Sequence, residues 1–468
     1  MKPLWQLEGH DVAALIGRGE VSSREVTAAV LERAREVNPV VGALTLIMDQ
    51  QALAEADARD AARARGDSLG PLHGVPVTTK INVDQSGVPT DHGVPTLKDF
   101  IAREDGPIAA NLRRAGAVLI GRNNAPAFSM RGHTDNALHG PTFNPWNRAL
   151  TPGGSSGGAA AAVAVGMGPI AHGNDIGGSI RWPAYCCGVL GLRPTPGRVA
   201  HANPSAPGGR PLSSQLMAVN GPLTRSVRDL RLALEAMAAR DLRDHRWTPA
   251  PLVGPSLTRP IRVALVTRSD GPAVTASAWD AVRQAGRHLQ AAGYVVEEVM
   301  PPALHATSEL WHALGTTEQF HTLGPKISDC GDPGIKDFLL AWWSLRPPRD
   351  LPGYLSALSE RDDLIQRWTI FLERYPIVVM PSSPSLPPPA GIDAKGVDGA
   401  QKMLDALYFQ LILPVLGLPG LAMPVISDGD QPQGVQLTGP RWREDLLLDA
   451  AEAIELCEGA RAVIDPLR

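Results

Sequence analysis

Cysteine is scarce in this chain, with Cys186, Cys187, Cys330 and Cys457 the only four in 468 residues. That is too few for a disulfide framework. Cys186 and Cys187 are adjacent and no CxxC pair occurs, so a thiolate zinc site is not expected either. Charge of one sign is also lacking: 44 Lys and Arg stand against 48 Asp and Glu, for a formal net charge of -4 and a pI near 6.3. Nothing in that balance attracts a polyanion wholesale, so neither a nucleic-acid nor an anionic-membrane partner is expected. No stretch approaches the roughly 18 consecutive apolar residues that a spanning helix needs. The opening MKPLWQLEGHDVAALIGRGE lacks the basic region and apolar run of a signal peptide. These absences predict a cytoplasmic protein without metal or cofactor.

What is present is an ordinary globular composition, 44% hydrophobic and 20% charged, in a chain long enough for a core of several layers. Residues 1–65 read as helices. In SSREVTAAVLERAREV (22–37), Ser22 or Ser23 can cap, Glu25 falls in the first turn, and Val26, Val30, Leu31, Ala34 and Val37 form one stripe. PLHGVPVTTKINV (71–83) turns into a β-rich run carrying Lys80, and AVLIGRNN reads as a short buried strand. RPIRVALVT, a helix over 277–292 and YVVEEVM have a βαβ rhythm. Residues 303–375 read as helical and include Trp311, Trp342, Trp343 and Trp368. PIVVM, LGLPGLAMPVI and GVQLTGP read as further strands, and DLLLDAAEAIELCEG as a closing helix. The alternation predicts an α/β protein: one large domain with a mixed, twisted central sheet covered on both faces by helices. An N-terminal helical segment (1–65) is expected to pack on the main domain (66–468), without a clean linker.

Glycine is densest over 151–199, where Gly153-Gly154-Ser155-Ser156-Gly157-Gly158 feeds an alanine-rich helix and Asp175-Ile176-Gly177-Gly178-Ser179-Ile180-Arg181 follows. A merely flexible loop does not account for apolar segments directly after both glycine clusters, because glycines so placed allow positive φ or close backbone approach. A phosphate cradle lacks the closing Lys-Ser/Thr of a P-loop, and no GxGxxG follows a strand. Residues 153–157 do fit G-x-S-x-G, which nominates Ser155 as a nucleophile in need of an acid and a histidine downstream. His201, His245, His288, His305, His312 and His321 are available, none in a distinctive setting.

GGSSGG, DIGGSIRWPA with its serine 24 residues beyond Ser155, and Gly74-Val75-Pro76-Val77-Thr78-Thr79-Lys80 together resemble the amidase signature family. The resemblance continues through GRNNAPAFSM, HGPTFNPWN, VLGLRPTPGRV, GPLTRSVRDL, VVMPSSP and LGLPGLAMP, spanning most of 65–440. It reassigns the serines. Ser179 becomes the nucleophile, Ser155 the proton relay after a cis Gly154–Ser155 peptide, and Lys80 the base. An alcohol needs such a base at neutral pH, and Lys80 has to be neutral against an ordinary pKa of about 10.4. Burial among apolar neighbours, such as VPVTTKINV supplies, disfavours the ammonium form. Ile176, Gly177, Gly178 and Ser179 are expected to form the oxyanion hole. Asp175 and Arg181 are expected to pair and hold the loop, with Ser156 in a structural role. One departure stands out: the family usually has a hydroxyl residue before Asp175, and this chain has Asn174.

The resemblance implies an amidase that acts on a small-molecule aryl or alkyl amide through an acyl-enzyme. Carbamates, hydrazides and esters suit the same machinery, and a homodimer stays open. The glutamine-hydrolysing components of tRNA-dependent amidotransferases share the core, but Leu407 stands where they carry an Asp, and Asp362 and Asp363 where they carry an Arg. That reading is second. A non-catalytic scaffold would have lost Lys80, Ser155 or Ser179, and none is lost. Specificity is expected from 303–375 and the 200–215 loop, with Phe128, Met130, Trp311, Trp342 and Trp343 as apolar wall residues.

Overall fold

Neighbouring residues along a strand point to opposite faces of its sheet, and here both faces find apolar partners. In the strand Ile377–Pro381, Ile377 and Val379 enter one buried cluster while Val378 and Met380 enter another. In the strand Arg262–Leu265, Val263 and Leu265 divide from Ala264 in the same way. A sheet buried on both sides needs helices on both. The computed structural model, which describes residues 2–206, 208–428, 431–459 and 461–466, shows that arrangement. One face is covered by helices that include Gly9–Arg18, Val227–Met237, Ala276–Ala291 and Glu444–Glu458. The other carries Leu304–Thr322, Pro333–Leu345, Leu351–Arg374 and Tyr408–Leu416. Among the described residues no helix is long and apolar enough to cross a membrane.

The strands are β1 (Leu44–Ile47), β2 (Pro76–Lys80), β3 (Val118–Asn123), β4 (Ile170–Asp175), β5 (Leu190–Arg193) and β6 (Val219–Thr224). They continue with β7 (Arg262–Leu265), β8 (Val295–Glu298), β9 (Ile377–Pro381), β10 (Gly420–Asp428) and β11 (Gln431–Thr438). They form one 11-stranded sheet in the order β1-β3-β2-β4-β6-β5-β10-β11-β9-β7-β8. It is mixed: β3, β2 and β4 run parallel, as do β9, β7 and β8, with antiparallel pairs between them. The chain is a single large α/β domain. Because β2 and β4 are parallel neighbours, with Val77 opposite Ile170 and Thr78 opposite Ala171, their last residues emerge at the same rim. Lys80 ends β2 and Asp175 ends β4.

The N-terminal segment differs from the sequence expectation. Ser22 caps the helix Ser23–Val41 in a capping box with Glu25, and Val26, Val30, Leu31, Ala34 and Val37 are buried as predicted. Residues 1–65 are nevertheless not wholly helical, because β1 pairs antiparallel with β3 at the sheet edge. At four residues β1 is too short to reveal a period, and pairing rather than propensity makes it a strand. The same segment is stitched elsewhere. The buried Asp229 on the helix Val227–Met237 accepts hydrogen bonds from Gly9 N at 2.7 Å and His10 N at 2.8 Å.

Candidate active site

Lys80 is wholly buried at the end of β2. Its Nζ lies 2.7 Å from Ser155 Oγ, 3.0 Å from Ser156 Oγ and 2.8 Å from Asn174 Oδ1. Burial drives its pKa well below the ordinary lysine value, only partly opposed by the negative field of Asp175. Both serines sit at the start of the helix Gly157–Ala164, whose small side chains let the turn lie against β4. The Gly154–Ser155 peptide is cis, as the resemblance predicts. Ser156 N donates to Ser179 O at 3.2 Å, which seats one serine loop on the other.

The loop carrying Ser179 is organised by Asp175. Its Oδ1 accepts from Gly178 N at 2.9 Å and Arg181 Nη2 at 3.1 Å, and its Oδ2 from Arg181 Nε at 3.0 Å. The expected Asp175–Arg181 pair is therefore present, but a second guanidinium completes it: Arg193 Nη1 lies 3.2 Å from Oδ1. All three side chains are inaccessible to solvent. Burial pushes the Asp175 carboxyl upward, and the charges of Arg181 and Arg193 outweigh it, leaving a pKa of about 2. Ile176 O accepts from Trp311 Nε1 at 2.7 Å. The backbone is closely packed here. A Cβ on Gly177 would stand 2.6 Å from Trp311 Cζ2, and Gly178, at φ 103°, lies against Gln410. Of the four residues expected to bind an oxyanion, Gly178 already gives its N–H to Asp175. The N–H groups of Ile176, Gly177 and Ser179 have no acceptor among the described residues.

Two cavities meet at Ser179. The larger, about 1080 Å³, has Ser155, Asn174, Asn82 and Phe128 in its walls, with His201, Asn203 and Arg210 from the 200–215 loop across from them. The smaller, about 40 Å³, is a recess lined by Met130, Ile176, Trp311, Phe338, Trp342 and Leu407. Trp311 and Trp342 stack with ring centroids 5.3 Å apart. Phe128, Met130, Trp311 and Trp342 are thus wall residues, as expected. Trp343 is not, since it lines neither cavity and meets Phe320 edge-on at 5.2 Å. Consecutive helical residues point about 100° apart, so Trp342 and Trp343 cannot share one wall. His92, Phe128 and Ser129, which all border the larger cavity, have left-handed backbones with φ of 54°, 54° and 59°. Such strained non-glycine residues gather at functional sites.

The family model described as Amidase matches residues 25–448. The chain belongs to the amidase family. An indoleacetamide hydrolase of Bradyrhizobium diazoefficiens is 45% identical over 464 residues, covering 98% of this chain and 88% of the relative. The glutamyl-tRNA(Gln) amidotransferase A-subunit of Moorella thermoacetica is 35% identical over 481 residues, covering 97% and 96%. A solved 6-aminohexanoate cyclic dimer hydrolase complexed with substrate is 26% identical with a TM-score of 0.82, covering 97% of each chain. The chain is an amide-hydrolysing enzyme.

Within this amidase, Leu407 faces the apolar recess, while Asp362 and Asp363 lie exposed on the helix Leu351–Arg374 and line neither cavity. Sequence reasoning missed Asn82, Arg193 and Asn203. Asn82 stands in the turn just beyond β2, which ends at Lys80, and no local pattern marks it. Arg193 lies inside LGLRPTPG, but nothing local says that its partner is Asp175.

Proposed function

We propose that Ser179 is the nucleophile of this amidase, Ser155 the proton relay and Lys80 the base, and that the substrate is a primary arylacetamide of the indoleacetamide kind. Ser179 Oγ attacks the amide carbon and passes its proton to Ser155, while Ser155 passes its own to Lys80. The reverse transfers protonate the departing nitrogen, which leaves as ammonia, and water then releases the acid from the Ser179 ester. The observation that carries this reading is the 2.7 Å contact between Ser155 Oγ and a fully buried Lys80 Nζ, beside a serine that opens onto a cavity. The oxyanion is assigned to the unoccupied N–H groups of Ile176, Gly177 and Ser179, with Gly178 serving to anchor the loop to Asp175.

The substrate class rests on the apolar walls and on the indoleacetamide-hydrolysing relative. The recess is too small for a bicyclic ring, so the aryl group is assigned to the junction of the two cavities, against Met130 and Ile176, with its edge toward Trp311. Leu407 offers nothing to a substrate ammonium group, which favours an uncharged acyl part over glutamine. The test is hydrolysis of indoleacetamide, benzamide and glutamine by the purified protein, with Ser179→Ala and fluorophosphonate labelling alongside. Indoleacetamide turnover that disappears in Ser179→Ala is expected. Turnover surviving in that variant sinks the site assignment, and a preference for glutamine sinks the substrate assignment.

A further inference from the structure

A neutral lysine has two N–H groups and one lone pair, and only the lone pair accepts a proton. Which neighbour meets the lone pair therefore decides whether Lys80 acts as a base toward Ser155. Three oxygens surround Nζ: Ser155 Oγ, Ser156 Oγ and Asn174 Oδ1. Ser156 Oγ lies 3.4 Å from Asn174 O, where its hydroxyl proton is donated, so toward Lys80 it accepts. Asn174 Nδ2 donates to Asn82 Oδ1 at 2.9 Å, and Asn82 Nδ2 donates to Ser129 Oγ at 2.9 Å. With its amide hydrogens turned away, Asn174 presents only its oxygen to the lysine. The chain reaches further, because Asn82 O accepts from Asn203 Nδ2 at 2.8 Å, in the loop that borders the cavity.

We propose that Asn174 and Ser156 take both N–H groups of neutral Lys80 and so turn its lone pair onto Ser155, with Asn82 fixing the polarity of the Asn174 amide. This rests on the Ser179–Ser155–Lys80 reading above and extends it to two asparagines and a serine that act as positioning residues. It also accounts for the departure at Asn174: an amide oxygen does there what a hydroxyl oxygen can do, provided that a second amide holds it in orientation.

The charged and titratable groups around Lys80 are few. Asp175 is held by Arg181 and Arg193, and Arg122 and Asp84 lie beyond β2. His172 and His92 are both pushed toward the neutral form by burial. Asn174→Asp would add a carboxylate against Nζ and favour the ammonium form. The acid limb of kcat/KM is then expected to move up by about one pH unit or more, and fluorophosphonate labelling of Ser179 at pH 7 to slow about tenfold or more. Asn174→Thr keeps an acceptor and is expected to retain the native limb. Asn174→Leu has no acceptor and is expected to lose labelling. Asn82→Ala frees the Asn174 amide to rotate and is expected to lower kcat with KM nearly unchanged. Folding of each variant is followed by its thermal midpoint, and if Asn174→Asp does not fold, the Thr and Leu pair carries the test. An Asn174→Asp enzyme with the native acid limb, or an Asn174→Leu enzyme labelled at the native rate, overturns the proposal. So does Asn82→Ala with native kcat. Those results, with Ser179→Ala and Lys80→Ala inactive, remove the positioning role alone; turnover by Ser179→Ala removes the underlying site.

Discussion

At the scale of single residues, the folded protein takes a side chain with an ordinary pKa of about 10.4 and holds it far below that value by burial. Across the window between the two values, the unfolded chain carries a proton that the folded protein lacks. Stability tied to Lys80 is therefore present above the unfolded value and lost as pH falls through that window. Urea unfolding of the wild type and Lys80→Met is expected to show it. Between pH 7.5 and 9.5 the wild type gains on the variant by up to about 1.4 kcal/mol per pH unit, whatever their offset at the start. With Lys80 as the proposed base, a pH–rate profile is expected to show kcat/KM flat on the alkaline side and falling about tenfold per unit as the lysine becomes protonated. A second residue-scale prediction concerns Gly177, where a methyl group meets Trp311 at 2.6 Å. Gly177→Ala is expected to displace the loop's N–H groups and lower kcat by about 100-fold or more, the usual weight of an oxyanion donor. Steady-state kinetics with an arylacetamide would read it.

At the scale of elements, the ends of β4 and β5 and the helix Arg181–Cys187 are joined through one carboxylate and two guanidiniums. Removing one member of a buried ionic group costs more than the group contributes, because the partners stay charged. Asp175→Asn is expected to cost about 3–5 kcal/mol in urea unfolding. It should also lack the part of acid unfolding that Asp175 causes, since a carboxyl depressed to about 2 gives up its stabilisation only as pH falls from about 4 toward that value. This element explains what the sequence could and could not reveal. Lys80, Ser155 and Ser179 were legible because each sits in a motif whose neighbours repeat the message: apolar flanks, paired glycines, a fixed spacing. Alternating or apolar strands such as β7 and β9 were legible for the same reason. IAHGND and VNGPLT, which form β4 and β6, contain glycine, asparagine and proline that argue against strands. Six-residue antiparallel pairing between them overrides that local preference. Arg193 and Asn82 act through partners distant in sequence, and no local pattern encodes a partner.

At the scale of the molecule, the first 65 residues are part of the sheet and its covering. They supply β1 to the edge of β3, and Val26, Val30 and Leu31 to buried clusters. Removing residues 1–65 would leave β3 as a bare edge beside uncovered apolar surface, an invitation to aggregate. The shortened protein is expected in the insoluble fraction, with no monodisperse peak on gel filtration of what remains soluble. The strand order carries a consequence for how the molecule comes into being. β10 and β11 lie between β5 on one side and β9 on the other, so they join two half-sheets whose strands all precede them in the chain. During synthesis both halves leave the ribosome with an open edge facing the gap, and the hairpin that fills it is made last of all the strands. A growing chain therefore carries its greatest risk of wrong association just before completion, and any truncation ahead of Gly420 would make that interval permanent.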